Sequence, residues 1–386
     1  MAELAKEMAC CHLCGSDSLQ VCEGYASLRR VTSDCRPWRA GGRLAVCATC
    51  GAVQTPVTQA WRDEASAIYA EYAIYAQSGG AEQLAFDPSS GQAVPRSRKL
   101  IEWVAAQGVL GPTGCLLDIG CGNGGLLRSF HDLHHSWTLM GTELDERNRP
   151  AVLGIPGVVG FHAGALEELR ERFDLVSMVH VLEHIPNPAE FLACVGERLA
   201  AGGLLLIEVP DFQQNPFELL IADHCSHFTL DRLAALLETT GYRVCAATAS
   251  CVPKEISVLA QVGAGPKPRQ ATSEFARVAG EVTRALDWLA AAVAQAKEIA
   301  ADGRVGVFGT AIAGSWLFGE IEAAVAFFVE EDPHRVGKEY LGRPVLHPAD
   351  IPQGAHVIIP LAPTIAAVIV NRLSRSGVHY HLPSSG

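Results

Sequence analysis

Short apolar runs alternate with stretches of helical spacing through the middle of this chain, which is typical of an α/β fold. The first such run, 116–119, contains Asp118 and is followed by a glycine-rich turn, and apolar residues then return at helical spacing. The spacing around Leu100 and Val104 predicts a helix leading into this run. Further strands are predicted at 137–142, 158–162, 173–179, 204–209 and 255–262, and the alternation with helices indicates a doubly wound, largely parallel sheet.

The glycine turn indicates a nucleotide-type ligand. Glycines let a ligand approach the backbone, and amides at the next helix N-terminus can face a polar or anionic group. An acidic residue before GxGxG is typical of S-adenosylmethionine (SAM) sites, whereas nicotinamide enzymes use GxGxxG. The next strand ends in a carboxylate that can accept both ribose hydroxyls. The expected cofactor-binding residues are Asp118, Gly120, Gly122, Asn123, Gly124 and Glu143, with Gly164 and Ala165 at the adenine edge. The segment HVLEHIPNP after the fourth strand resembles a signature of class I SAM-dependent methyltransferases, and this resemblance implies that His180 flanks the cofactor. Acid/base or metal chemistry of His180, Glu183 and His184 is the alternative.

Paired cysteines near the N-terminus predict a metal site. Cys11 and Cys14 form one CxxC knuckle, Cys47 and Cys50 form a second, and each knuckle is followed by glycine. Four thiolates favour a tetrahedral, closed, structural zinc site that takes no part in chemistry. Free thiols or a redox pair are the alternative interpretation.

Composition narrows the class of partner. The 386 residues carry a net charge of −12 and are 49% hydrophobic, so the chain can bury a large core but offers no general basic face for nucleic acid or an anionic membrane. The N-terminal stretch lacks a signal-peptide pattern, and no apolar run is long enough to span a membrane. We therefore expect a cytoplasmic protein with a small-molecule substrate.

A histidine-rich loop is the candidate catalytic segment. Thr229 can cap a helix whose Leu230, Leu233 and Leu237 face inward, which leaves three polar residues beside the ligand end of the sheet: Asp223, His224 and His227. A histidine with a pKa near neutral suits proton abstraction, and a neighbouring carboxylate can orient it. A pair of exposed loop histidines is the alternative.

Tyrosines spaced by three precede the glycine-rich stretch 78–80. Tyr69, Tyr72 and Tyr75 form a packed helix face in one interpretation. In the other, the Tyr75 hydroxyl faces the substrate.

The last third of the chain predicts a second nucleotide-type unit. A Gly/Pro/Lys linker leads to a long amphipathic helix, and 304–318 is again strand, glycine turn and helix. The turn GTAIAG does not have GxGxxG spacing, which argues against a nicotinamide site.

These motifs together resemble the sugar C-methyltransferases of deoxysugar pathways in natural-product biosynthesis. CHLCG with CATCG matches their zinc module, LLDIGCGNG their cofactor turn, and DHCSHFT their catalytic loop. The resemblance implies a zinc-binding module at 1–65, a class I SAM-binding methyltransferase domain at 66–262 and a C-terminal Rossmann-like domain at 263–386. It also implies that SAM and structural zinc are the cofactors, and that the C-terminal domain helps to hold a nucleotide-sugar substrate.

The catalytic loop of that family reads close to Glu-His-Leu-Ser-Tyr-Tyr-Ser, so His224 falls on the family's base. Asp223 stands where the family has glutamate, and His227 stands where it has tyrosine. The implied reaction is removal of a proton beside a ketone by His224, with Asp223 orienting the base and Tyr75 or His227 stabilising the enolate. An O- or N-methyltransferase, a non-catalytic SAM-binding module and a nicotinamide oxidoreductase remain alternatives.

Overall fold

The computed structural model of the protein describes residues 10–73, 82, 84–86, 93–263, 274–374 and 376–383. Three sheets of four, seven and six strands organise this part of the chain, and we call them the N-terminal, central and C-terminal sheets. Two further strand pairs are short. None of the described helices is both long and apolar enough to cross a membrane.

The N-terminal region consists of short strands followed by one helix. Thr58 caps that helix, because its hydroxyl accepts a hydrogen bond from the Trp61 amide. The elements are β1 (Leu19–Val21), β2 (Arg30–Val31), β3 (Pro37–Trp38), β4 (Ala45–Cys47), β5 (Val53–Gln54) and α1 (Gln59–Ala70).

The middle of the chain forms the central sheet, which confirms the predicted α/β class. The elements of this part of the chain, of which β6, β7 and β13 lie outside the central sheet, are β6 (Leu84–Phe86), β7 (Ala93–Pro95), α2 (Arg96–Ala106), β8 (Cys115–Ile119), α3 (Gly125–Leu133), β9 (Thr138–Glu143), α4 (Arg149–Leu153), β10 (Val158–Ala163), β11 (Phe173–Val179), α5 (Pro188–Glu197), β12 (Leu199–Pro210), β13 (Ser226–His227), α6 (Leu230–Thr239), β14 (Tyr242–Thr248) and β15 (Glu255–Val262).

Strand order in the central sheet is β10-β9-β8-β11-β12-β15-β14. The first five strands run parallel, and β15 is antiparallel to both of its neighbours. Leu116, Leu117, Leu175 and Val176 are fully buried, as expected for strands covered on both faces. β9 and β10 lie on one side of β8, and the later strands β11 and β12 lie on the other side. The carboxyl ends of β8 and β11 therefore border the crevice where such sheets bind ligands.

The C-terminal sheet has the order β18-β19-β17-β16-β20-β21 and is parallel except for β18. It repeats the strand, turn and helix arrangement predicted from the sequence. The preceding helix buries the apolar face formed by Val278, Val282, Leu286 and Leu289. The elements are α7 (Glu274–Ala301), β16 (Val305–Phe308), α8 (Ile312–Ile321), β17 (Val325–Val329), β18 (Glu339–Tyr340), β19 (Arg343–Leu346), β20 (Ala355–Ile358), α9 (Pro363–Leu373) and β21 (Val378–His381).

The N-terminal region shares a hydrophobic core with the C-terminal sheet. Tyr25 and Val46 belong to the same buried cluster as Leu289 and Trp316. The Trp316 indole N–H donates to the carbonyl of Arg29 at 3.0 Å. The boundaries 65/66 and 262/263 remain predictions, but the first of the three units does not bury its apolar surface alone.

Candidate active site

The glycine turn after β8 is shaped by close packing. Gly120 and Gly124 have φ angles of 66° and 83°, a region that residues with side chains rarely adopt. A Cβ at Gly120 would lie 2.6 Å from Val181, and one at Gly124 would lie 2.2 Å from Ile155. Glycine is therefore required at these two positions, because the space that a side chain would need is filled by Val181 and Ile155.

Two carboxylates flank this turn. Asp118 is buried and accepts a 2.7 Å hydrogen bond from the Ser177 hydroxyl, while burial raises the pKa of Asp118 to about 7. Glu143, at the end of β9, accepts a 2.7 Å hydrogen bond from the Gly122 amide. Burial also raises the pKa of Glu143. Glu143 therefore faces the turn, as required of a carboxylate that binds ribose hydroxyls; this role remains a prediction.

The other predicted cofactor residues surround the same turn. The Asn123 side chain accepts a 3.2 Å hydrogen bond from Arg128. The Gly164 amide donates to the carbonyl of Glu143 at 3.1 Å, so Gly164 and Ala165 follow β10 beside the end of β9. The adenine-edge assignment of these two residues remains a prediction.

A first group of charged side chains, the His180 cluster, lies at the carboxyl edge of the central sheet. Its members are Arg96, His180, Glu183, Glu208 and Glu255. Nδ1 of His180 lies 3.3 Å from Glu183, and Arg96 is ion-paired with Glu255. Burial opposes the charged form of His180, but the carboxylates of Glu255 and Glu183 outweigh it and raise the pKa of His180 to about 9. Arg96 and His180 thus face three buried carboxylates, and a guanidinium nitrogen of Arg96 lies 2.9 Å from Nε2 of His180.

A second group, the His224 cluster, contains His184, Glu218, His224 and His227. Oε1 of Glu218 lies 2.5 Å from Nδ1 of His224 and 3.4 Å from Nδ1 of His227. These three side chains are between 0% and 4% exposed, so the loop is buried and the two histidines are not the exposed pair of the alternative interpretation. Burial raises the pKa of Glu218 to about 7 and lowers those of His224 and His227. In its ionised form Glu218 accepts N–H from Nδ1 of His224 and leaves Nε2 as a free base.

The hydrogen bonding of Asp223 differs from the expectation that it orients His224. Its carboxylate accepts hydrogen bonds from the amide and hydroxyl of Ser33, at 2.9 and 2.5 Å. It also lies 3.5 Å from Nδ1 of His184. The position expected for Asp223, next to His224, is occupied by Glu218.

Of the three predicted tyrosines, Tyr69 is the one the structure connects to this cluster. Its hydroxyl lies 2.8 Å from Nδ1 of His184, whose ring meets the ring of His224 edge to face at 4.5 Å. Tyr72 follows the end of α1. Tyr75 lies outside the described residues, so its role remains a prediction.

The two clusters meet at Glu183. A carboxylate oxygen of Glu183 and one ring nitrogen each of His184 and His224 all lie within 4.8 Å of one another, a spacing that a cation can bridge. Both Glu183 oxygens are buried without a hydrogen bond inside the described chain. His180 already lies within ion-pair distance, and its charge lowers the pKa of Glu183 to about 2 despite burial. Glu183 therefore lies between His180 on one side and His184 and His224 on the other.

The four predicted metal ligands converge in the N-terminal region. The sulfur atoms of Cys11 and Cys50 are 3.6 Å apart, and those of Cys14 and Cys47 are 3.7 Å apart. A tetrahedral zinc with Zn–S bonds of about 2.3 Å requires sulfur separations of about 3.8 Å. All four sulfur atoms lie within 4.8 Å of one another. This donor set fits zinc and is too widely spaced for disulfides.

Several residues of the site were not predicted from the sequence. Glu218 interrupts an apolar run, Phe217 to Ile221, and a lone acidic residue in such a run is a signal that can be recognised. Arg96 and Ser33 carry no such signal, because distant segments bring them to the site.

Comparison with known proteins agrees with this geometry. Residues 94–247 match a family model described as a methyltransferase domain. The chain is 29% identical over 166 residues to the C-methyltransferase NovU of Streptomyces niveus. The aligned stretch covers 40% of this chain and 39% of that protein. It is 32% identical over 102 residues to a ubiquinone biosynthesis O-methyltransferase of Caulobacter sp. (strain K31), covering 24% of this chain and 39% of that protein. The chain thus matches less than half the length of either relative.

Solved structures show more distant similarity. A SAM-dependent methyltransferase from Clostridium acetobutylicum ATCC 824 is 11% identical with a TM-score of 0.36, covering 43% of this chain and 90% of that chain. The glycopeptide N-methyltransferase MtfA is 19% identical with a TM-score of 0.35 and the same coverage. We draw no functional conclusion from matches at this level.

The central sheet, its glycine turn and the match to residues 94–247 define a methyltransferase domain with the class I SAM-methyltransferase fold. The fold prediction is therefore confirmed.

The buried histidines provide a test by titration. We expect His184, His224 and His227 to have pKa values below the usual value of about 6.5, because burial disfavours their charged forms. Histidine NMR of the isotope-labelled protein should show all three titrating at lower pH than the same histidines in urea-unfolded protein. Between these lowered pKa values and about 6.5, the unfolded chain binds more protons than the folded chain. The free energy of unfolding therefore increases as pH rises through this range. Titration of His224 above pH 6.5 in the folded protein contradicts the assignment.

Proposed function

We propose that this protein is a SAM-dependent methyltransferase that methylates a carbon atom of a nucleotide-linked keto-deoxysugar. The observation that carries the proposal is a buried pair of side chains, His224 as the base and Glu218 as the carboxylate that orients it. The pair lies beside the cofactor edge of a methyltransferase domain. Similarity to a C-methyltransferase supports the choice of carbon. A nucleic-acid substrate is disfavoured by the charge of −12, which leaves no general basic face for a polyphosphate backbone.

The cofactor would be held by the glycine turn. The amides around Gly120 and Gly122 would face its polar end, Glu143 would accept its ribose hydroxyls, and His180 would flank it. Bound SAM supplies an electrophilic methyl group on a sulfonium. The chain's own contribution is to fix the acceptor carbon in line with that methyl group.

His224 would perform the proton chemistry. Nε2 of His224 removes a proton from the carbon beside the ketone, and the C–H electron pair moves into the enolate. The enolate carbon would be the nucleophile for the methyl group that bound SAM would supply, with S-adenosylhomocysteine as the leaving group. Ionised Glu218 stabilises the imidazolium that results, because it already accepts N–H from Nδ1. His227 or Tyr75 would donate to the enolate oxygen, a contribution of a few kcal/mol in a dry site.

The C-terminal sheet would contribute to holding the nucleotide-sugar. Its glycine turn repeats a feature of the cofactor turn: the amide of Thr310 donates to Glu330, at the end of β17, at 2.9 Å. Arg335 is buried beside them and donates to the Thr310 hydroxyl at 2.9 Å. Arg335 also lies within ion-pair distance of Glu330 and Asp332, so a diphosphate beside the turn would share this cation with two carboxylates.

The identity of the methylated atom is the first test. Purified protein, incubated with labelled SAM and a panel of nucleotide-linked 4-keto sugars in deuterated water, should give products with a new methyl group on carbon. NMR of the product locates the methyl group, and an N- or O-methyl product overturns the enolate mechanism while leaving the cofactor assignment intact. Absence of transfer to every sugar, despite SAM binding, rejects the acceptor class.

Variants of the loop distinguish the roles of its carboxylates. His224→Ala should reduce kcat by about 100-fold to 10,000-fold without weakening SAM binding, since general-base catalysis contributes that much. Glu218→Gln should reduce kcat more than Asp223→Asn does, because Glu218 is the residue bonded to His224. Turnover numbers and SAM binding measured on the same preparations provide the comparison. The assignment fails if Glu218→Gln turns over like the wild type, or if Asp223→Asn is the more damaging change.

We also infer that the four cysteines hold one structural zinc ion. The site would be closed, with all four ligands from the protein, so it would stabilise the N-terminal region and bind no substrate. Gly15 and Gly51, both with φ of 73°, allow the two knuckle turns.

Metal analysis of the purified protein should find about one zinc per chain, and Cys47→Ser should lower that content. Cys10→Ser is the matched control, because Cys10 lies outside both knuckles and is exposed. Equal zinc content in the two variants would exclude this ligand set.

A further inference from the structure

The short strand β13 joins the catalytic loop to the N-terminal sheet. Ser226 pairs with Gln54 and His227 pairs with Val53, which makes β13 the fourth strand of the order β1-β4-β5-β13. All four residues are buried. A strand of two residues is not stable alone, so the position of His227, and of His224 three residues earlier, depends on β5.

Gln54 also fastens β5 to the first cysteine knuckle. Its side-chain oxygen accepts a 3.0 Å hydrogen bond from the His12 amide, and its side-chain nitrogen donates to the carbonyl of Cys10 at 3.3 Å. Nδ1 of His12 lies 3.4 Å from the hydroxyl of Ser226. The knuckle and the catalytic loop therefore meet at one fully buried amide side chain.

The second knuckle contacts the loop from the other side. Arg232, in α6 just after the loop, donates to the carbonyl of Cys50 at 2.8 Å. The Thr55 amide donates to the carbonyl of Cys225 at 3.0 Å. The segment 225–232 is thus attached at one end to Thr55, which directly follows β5, and at the other end to the cysteine ligand Cys50.

We propose that the four-cysteine module positions the catalytic loop, with Gln54 as the positioning residue that transmits the geometry of the metal site to Ser226, His227 and His224. This inference rests on the proposed roles of His224 and of zinc. The strands of the N-terminal sheet are two or three residues long, so a metal cross-link between the knuckles would add to the Gln54 hydrogen bonds in fixing the distance of β4 and β5 from the first knuckle. The module takes part in catalysis by placement alone.

The test compares two glutamines of the same sheet in the full-length protein. Gln54→Leu removes both side-chain hydrogen bonds, whereas Gln20→Leu changes an exposed residue of β1 at the opposite edge. Hydrogen–deuterium exchange should be about tenfold or more faster in the segment 222–228 of Gln54→Leu and unchanged in 115–127. With an accepted sugar, kcat should fall about 10-fold to 100-fold while the SAM dissociation constant stays within about twofold. Gln20→Leu should match the wild type in every measurement.

Removal of zinc with a chelator should produce the same local increase at 222–228. If the zinc-depleted chain unfolds throughout, the Gln54→Leu comparison decides. Wild-type exchange at 222–228 in Gln54→Leu overturns the proposal, and so does an equal increase at 115–127, which indicates general destabilisation. The exchange result is independent of the acceptor, so failure of the sugar panel and failure of this inference are separate outcomes.

Discussion

The shared carboxylate of Glu218 is the contact on which the candidate catalytic loop depends. It is buried with His224 and His227, and moving ionisable groups out of water costs several kcal/mol each unless they are paired. One oxygen within reach of both Nδ1 atoms reduces that cost and selects the tautomer that leaves Nε2 of His224 unprotonated. Burial of these side chains costs free energy, but it also favours the neutral form of the two histidines, which is the form a general base needs.

That burial is created by the N-terminal region. Tyr25 donates to the carbonyl of Leu219, Val31 accepts from the amide of Ala222, and Ser33 donates to Asp223. The loop is therefore enclosed between the central sheet and a region that also packs against the C-terminal sheet. A single hydrophobic cluster links all three parts of the chain, so a change in the N-terminal region can reach the catalytic loop through packing alone.

The central sheet and its cofactor turn were predictable because their signals are local. The apolar run of β8, the glycines of the turn and Glu143 at the end of β9 lie within about thirty residues, and the backbone of glycine fixes the turn without help from distant segments. The four cysteines were equally readable from spacing, and their sulfur separations fit the expected metal. The partner of Asp223 was not predictable: Asp223 adjoins His224 in sequence, but its carboxylate accepts hydrogen bonds from Ser33. Nothing in the sequence pairs residue 33 with residue 223.

The sequence by itself determined the α/β class, the glycine turn, the metal knuckles and the candidate base His224, because each is recorded in residue type and short spacing. Tertiary structure alone decided that Glu218 contacts His224, that Arg96 lies against Glu255, and that Gln54 pairs with Ser226. These contacts depend on how separate elements pack, and side-chain burial sets both their distances and the pKa values of the groups involved. The physical reason is that local backbone preferences act over a few residues, whereas the electrostatics of a buried site depend on every element that excludes water from it.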